Sequence, residues 1–261
     1  MTGYFSEIWR LRHFWMALVR IDLRNRYRRS IIGIGWSLLH PIAMTVVLCV
    51  VFSQLLDQPI RTFAPFLLSG LTFWGFVTAV VLQGCQCFFQ GESYIRQHHA
   101  PLAIYPLRTT LSAGFHFLLG LAIVIVFVGC MQGFANLPAL LTLIPTLVLV
   151  FIIGWSLAVC MGVANVMFQD CQHLTEVVMQ MMFYVTPIFL KPEYFLQRRY
   201  VSWLVRLNPF AAILELIRKP LLEGKLPSEW AVGMGVLAGF IALSVAGLAL
   251  RRFEKRMIFY L

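Results

Sequence analysis

Polar punctuation divides this chain into long apolar blocks. No Asp, Glu, Lys or Arg falls within 33–56, 62–91, 109–169 or 230–250. A helix needs ~20 predominantly apolar residues to cross the hydrocarbon layer, so these blocks read as membrane spans. The longest block divides at "GFANLP" (133–138), where Gly, Asn and Pro supply turn chemistry. A polar break follows at "NVMFQDCQH" (165–173). The pattern predicts an all-α membrane protein of six transmembrane helices, at 33–56, 63–88, 107–134, 139–165, 174–190 and 230–250. They form a single transmembrane domain over 1–261. The fifth is short, with Glu176 near one end and Pro187 near the other.

Two flanking segments have a different pattern. In 191–229 there are two apolar stretches, each too short to span. Asn208 can cap and Pro209 can open a helix that Pro220 and Gly224 close. A re-entrant helical hairpin is predicted here, tolerable only where protein or a water-filled cavity surrounds it. Residues 1–30 hold an N-terminal amphipathic interfacial helix, read at 4–29. Leu11, Phe14, Leu18 and Ile21 recur at three- and four-residue spacing and share a face with Trp15. Arg20, Arg24 and Arg28 form a ridge on another side, with Arg10 in line. Residues 251–261 are a basic tail.

Composition agrees with this reading. Hydrophobic residues make up 60% of the chain and charged residues 12%, against about 25% charged in soluble domains. The formal net charge of +10 could suggest nucleic acid, but the basic face is the one that lies against lipid headgroups. Seven Lys and Arg lie in 1–30, two in the loop at 89–108 and four in the tail, thirteen in all. Eight lie on the other side, seven of them in 191–229. The bias predicts that both termini are cytoplasmic. No small-residue site follows the first apolar run, so no cleavable signal peptide is expected. The six cysteines lack CxxC spacing, which argues for packing roles over disulfides or a metal site.

Three stretches carry a resemblance: "DLRNRYRRSIIGIGWSLLHPIAMTVVLCVVFS" (22–53), "FAPFLLSGLTFWGFV" (63–77), and "FYVTPIFL" (183–190) followed by "NPFAAILELIRKPLLEG" (208–224). In order and spacing the chain resembles the membrane subunit of ABC transporters that export polysaccharides, the O-antigen, capsule and teichoic-acid class. Gln169-Asp170 stands where that family often has Arg-Asp. The resemblance implies a homodimer in the bacterial inner membrane, carrying two copies of a separate ATPase subunit that binds the ATP and Mg. The chain itself has no GxxxxGK[ST], so no cofactor is expected in it. With the family in view, the loop "ESYIRQHHAPLAIYPLR" (92–108) is the expected ATPase-docking element, presenting Glu92, Tyr94, Arg96, His98 and His99. The implied cargo is a lipid-linked, O-antigen-like polysaccharide, whose carrier diphosphate would meet Arg24, Arg26, Arg28 and Arg29.

A sugar path needs rings that stack on sugar C–H faces. Trp36, Trp74, Phe183 and Tyr184 are candidates, although interfacial belts use the same residues. Spacings of three and four put Gln83, Gln86 and Gln90 on one face of the second span. Their amides would bond either a passing glycan or a neighbouring helix. His116 reads as a satisfied packing residue. Asp170 and Glu176 are possible partners for the N-terminal arginines, and Glu215 is expected to pair with Arg218. Other cargo (a drug, a lipid or a small glycolipid) leaves the same pattern, and a passive channel or scaffold is the rival from another class. Catalysis is disfavoured. The three Asp (22, 57, 170) stand at separate membrane edges, there is no HExxH, and Ser37 and Ser156 have no base beside them.

Overall fold

The computed structural model describes residues 2–28, 30, 32–55, 57–97, 100–132, 137–196 and 199–257. Every regular element among them is helical. The N-terminal arm is α1 (Thr2–Arg10) and α2 (Arg12–Tyr27), interrupted at Leu11. After it come α3 (Gly35–Leu55), α4 (Ile60–Gln86), the short α5 (Glu92–Gln97), α6 (Ile104–Gln132), α7 (Leu137–Leu140), α8 (Leu143–Met167) and α9 (Cys171–Val185). The chain continues through α10 (Pro192–Leu196), α11 (Arg199–Leu207) and α12 (Pro209–Arg218) into a π turn, Lys219–Glu223, and ends in α13 (Glu229–Met257).

Five stretches of helix among the described residues are long and apolar enough to cross a membrane: Gly35–Ser53, Ile60–Gln86, Ile104–Cys130, Pro138–Met167 and Glu229–Glu254. They overlap five of the six predicted spans. The remaining one, read at 174–190, is different. Its helix α9 has 15 residues, about 22 Å at 1.5 Å per residue, and a hydrocarbon layer is ~30 Å thick. Pro187 has no N–H to continue the helix, which ends at Val185 with the Thr186 N–H on the Met182 carbonyl (2.9 Å).

At the centre of the bundle, α4 packs against α3, α6, α8 and α9, and most of its side chains are buried. Small residues permit the α4–α8 crossing. Gly84 lies against Ala158, where an added Cβ would come within 2.8 Å of the Ala158 Cα. Lipid gives helices no hydrophobic reason to associate, so close backbone approach and dispersion have to hold such a pair. On the outside, α3 and α13 leave wide apolar faces uncovered, including Val46, Val50, Phe240 and Leu248.

The contacts define two ends. Tyr4 in α1 bonds Glu254 near the end of α13 (2.8 Å), and the Leu102 N–H, just before α6, reaches the same carboxylate (3.3 Å). This is the termini end. At the far end, α12 packs on α13 and α4, and Ser228, just before α13, donates to Glu215 of α12 (2.6 Å). Between the ends, α9 returns the chain from Asn165, where Gln172 N–H meets its side-chain oxygen (3.2 Å), to the far-end residue Thr186, which bonds Asn208 (2.9 Å).

Candidate functional site: the basic arm and the two ends of the bundle

The arm is fastened to the bundle by polar contacts. In the middle of α2, Leu18 is buried, and Phe14 meets Tyr94 of α5 edge-on at 5.9 Å between ring centres. Asp22 accepts from Nε and Nη2 of Arg108 in α6, a two-pronged pair of the kind that fixes orientation as well as energy. One turn further on, Tyr27 bonds His116 of α6 (2.9 Å). His116 is therefore a satisfied residue, as expected. At the other end of the arm, burial pushes the Tyr4 phenol above its ordinary range, and the hydrogen bond to Glu254 adds to the shift.

These fastenings leave the arginine ridge free. Arg20, Arg24, Arg26 and Arg28 are exposed, and among the described residues none pairs with a carboxylate. Arg24 and Arg28 stand at an open cleft of about 660 Å³ whose walls are otherwise apolar: Leu23, Tyr27, Ile32, Ile34 and Phe115. Arg29 lies outside the described residues. Glu176, considered as an arginine partner, instead accepts from Gln172 (3.2 Å) and faces His173 (3.8 Å).

Beside the arm, α5 forms the linker between α4 and α6. Glu92 and Arg96 pair along it (2.9 Å), Ile95 is buried beneath it, and Ser93, Arg96 and Gln97 are exposed. Tyr94 is turned to Phe14 of the arm. His98 and His99 lie outside the described residues.

The glutamines separate. Gln86 donates to Gln172 of α9, which in turn donates to Glu176. Buried Asn165 joins this ladder, donating to the Cys85 carbonyl (2.9 Å). Gln83 is half-buried, and Gln90 lies in the turn after α4 with its N–H on the Gln86 carbonyl (2.9 Å). Three of the four aromatics meet, Phe183 lying edge-on to Tyr184 (5.4 Å between ring centres) as well as to Trp74. Trp74 is buried against Phe183 (6.1 Å) and Phe210 (5.7 Å), whereas Trp36 and Tyr184 are exposed.

The far end corrects one expectation. Glu215 pairs with Lys219 (2.7 Å), not with Arg218. Arg218 turns inward and is buried, donating to the carbonyls of Phe66 (2.8 Å), Pro187 and Ile188 (2.6 Å) and to Ser69 Oγ (3.3 Å). The sequence did carry a signal for this. Helical spacing places Arg218 on the same side of α12 as Ala211 and Leu214, both buried.

Apolar spans around a central α4, a fastened basic arm and a short helical linker at the same end define a helical integral membrane protein. Comparison with known proteins agrees: the model of the ABC-2 type transporter family matches residues 13–222. The chain belongs to this family. It is also similar to an O-antigen export system permease protein RfbA of Klebsiella pneumoniae, 25% identical over 236 residues, covering 90% of this chain and 89% of that one. A protein of the same description from Myxococcus xanthus is 24% identical over 229 residues, 87% of each chain.

Proposed function

We propose that this chain is one half of a homodimeric exporter that moves a lipid-linked polysaccharide, driven by two copies of a separate ATPase. The observation that carries the reading is the pairing of unneutralised Arg24 and Arg28 with an apolar cleft, in a chain similar to O-antigen export permeases. Such a cleft suits an amphiphile: the acyl or prenyl tail lies against Leu23, Ile32, Ile34 and Phe115, and the diphosphate meets the guanidinium groups. Arginine forks match phosphate oxygens in pairs. Arg26 extends the same basic edge, and Arg29, outside the described residues, is assigned the same role from the sequence. The chain crosses the membrane six times with both termini in the cytoplasm, α9 with residues 186–190 making the fifth crossing, and 191–229 is a re-entrant hairpin on the outer side. The reading is supported by the direction of α9, which leaves from the termini end and arrives at the far end. The ATPase docks on α5 and its neighbours, Glu92, Tyr94, Arg96, His98 and His99.

Sugar transfer along the path falls to exposed rings, Trp36 and Tyr184, and to Gln83 and Gln90. Trp74, Phe183 and Gln86 are already engaged within one subunit and serve the walls. The test is co-purification in mild detergent, then reconstitution with ATP and a labelled polyprenyl-diphosphate glycan. A stoichiometric Walker-motif ATPase and ATP-dependent movement of the glycan support the reading. A folded chain that repeatedly comes out alone moves the assignment to a channel or scaffold. ATP-driven export of another lipid or drug keeps the machine and replaces the cargo.

A further inference from the structure

Arg218 is a buried charge for which the described residues offer no carboxylate. Taking an arginine out of water is strongly unfavourable even after relaxation, so its surroundings have to compensate. Its partners come from two places. Phe66 and Ser69 belong to α4, whereas Pro187 and Ile188 belong to the non-helical link after α9. Where a helix breaks inside an apolar bundle, the freed carbonyls need donors. The guanidinium supplies them, and its carbon lies 3.6 Å from the centre of the Phe66 ring. Gly70 faces the same guanidinium, and an added Cβ there would overlap Nη2 and approach the Ile188 carbonyl to 2.9 Å.

The opposite end of α12 grips the same link. Asn208 is buried, caps α12 by accepting from the Phe210 N–H (2.9 Å), and donates to Thr186 Oγ1 (2.9 Å). On its other side the link is tied towards α3. Phe189 meets Phe52 at 5.5 Å, and Lys191 donates to Gln58 (2.6 Å). One short segment, 186–191, is thus the meeting point of α3, α4, α9 and α12.

We propose that Arg218 is the positioning residue of a far-end seal. With Asn208 it makes α12 and the 186–190 link one rigid piece, and it docks that piece on α4. The seal stays shut at rest and moves as a unit during transport. Lysine cannot replace the guanidinium, because one ammonium cannot reach carbonyls on two elements while stacking on Phe66.

This inference rests on the permease reading, and its test keeps the two apart. The whole complex with its ATPase is reconstituted into liposomes loaded with carboxyfluorescein, and passive dye efflux is followed without ATP. Arg218→Gln and Arg218→Lys are each expected to raise efflux several-fold while the complex keeps its size and composition. Gly70→Ala leaves the charge in place but displaces the guanidinium, and it is expected to leak in the same way. If Arg218→Gln fails to fold, Gly70→Ala and Arg218→Lys decide. Variants that melt at a lower temperature yet hold dye as the parent does would overturn the seal and leave a packing residue. A parent complex that carries no ATPase and exports nothing sinks the permease reading instead.

Discussion

Asp22 and Arg108, 86 residues apart in the chain, meet through both carboxylate oxygens and two guanidinium nitrogens. The pair joins the arm to the start of α6, and both side chains are mostly shielded. Removing one partner leaves the other charge partly buried and unpaired, which costs about 3 kcal/mol for buried pairs. Asp22→Ala is expected to lower the unfolding temperature in detergent and to expose α2 to protease. The exchanged pair Asp22→Arg with Arg108→Asp is expected to recover part of the loss. A double mutant no better than the singles would show that the contact contributes little.

Tyr4 and Glu254 make the second fastening. Burial, with the Glu254 hydrogen bond, raises the phenol's folded-state pKa above the ordinary tyrosine value of ~10. The protonated phenol is therefore favoured in the folded state. This contribution is complete below the unfolded pKa and is lost as pH rises through the folded one. Amide exchange in α1 should therefore accelerate above about pH 10 more than base catalysis alone explains. Tyr4→Phe should show fast exchange already at neutral pH and lose the excess.

The polar ladder under α9 depends on Asn165, 2% exposed, which serves the Cys85 carbonyl and the Gln172 N–H together. Asn165→Leu strands both, at about 1–3 kcal/mol for each unsatisfied buried group. A fall in thermal stability of that size is expected. Asn165→Asp keeps the acceptor for Gln172 but loses the donor to Cys85, so it should also be destabilised.

Most of the helical frame was legible in the sequence because charge-free blocks and helix length are one constraint seen twice. Five spans fall where the blocks lie. The segment around α9 was harder, since hydropathy continues through Thr186–Leu190 although the helix does not. What ends the helix is Pro187 and a donor from Arg218, 31 residues away. Similarly, Asp22 is a lone acid in a run of arginines, and nothing local told which arginine it takes. It takes Arg108 of α6. Periodicity shows which face a residue lies on, but a long-range partner depends on how helices cross.

The arginine ridge separates anchoring from binding. Arg20, Arg24 and Arg28 share four-residue spacing, yet only Arg24 and Arg28 line the cleft. Each contributes a similar attraction to an anionic leaflet, about 1 kcal/mol. If the arm is only an anchor, Arg20→Glu and Arg24→Glu should reduce export equally. If the cleft receives a phosphate, Arg24→Glu and Arg28→Glu should abolish export of a labelled polyprenyl-diphosphate glycan while Arg20→Glu leaves most of it. Membrane insertion, checked by carbonate extraction, should be unchanged in all three.

The two faces of α5 differ. Ile95 is buried beneath it and Tyr94 is turned to Phe14, whereas Ser93, Arg96 and Gln97 are open. A docking surface needs its contact residues outside and its support inside, and substitutions on the two faces should fail differently. Arg96→Glu breaks the exposed pair with Glu92, and such a pair contributes about 0.3–0.5 kcal/mol along a helix. Stability should therefore hardly change. Reversing the charge at a docked surface acts instead on the partner, and the ATPase should be lost from the purified complex. Ile95→Ala empties a buried site and should lower thermal stability by about 2–5 kcal/mol, with the ATPase still bound to whatever remains folded. If Arg96→Glu keeps a stoichiometric ATPase in mild detergent, docking lies elsewhere on the termini end, and the loop around α5 is only a connection between α4 and α6.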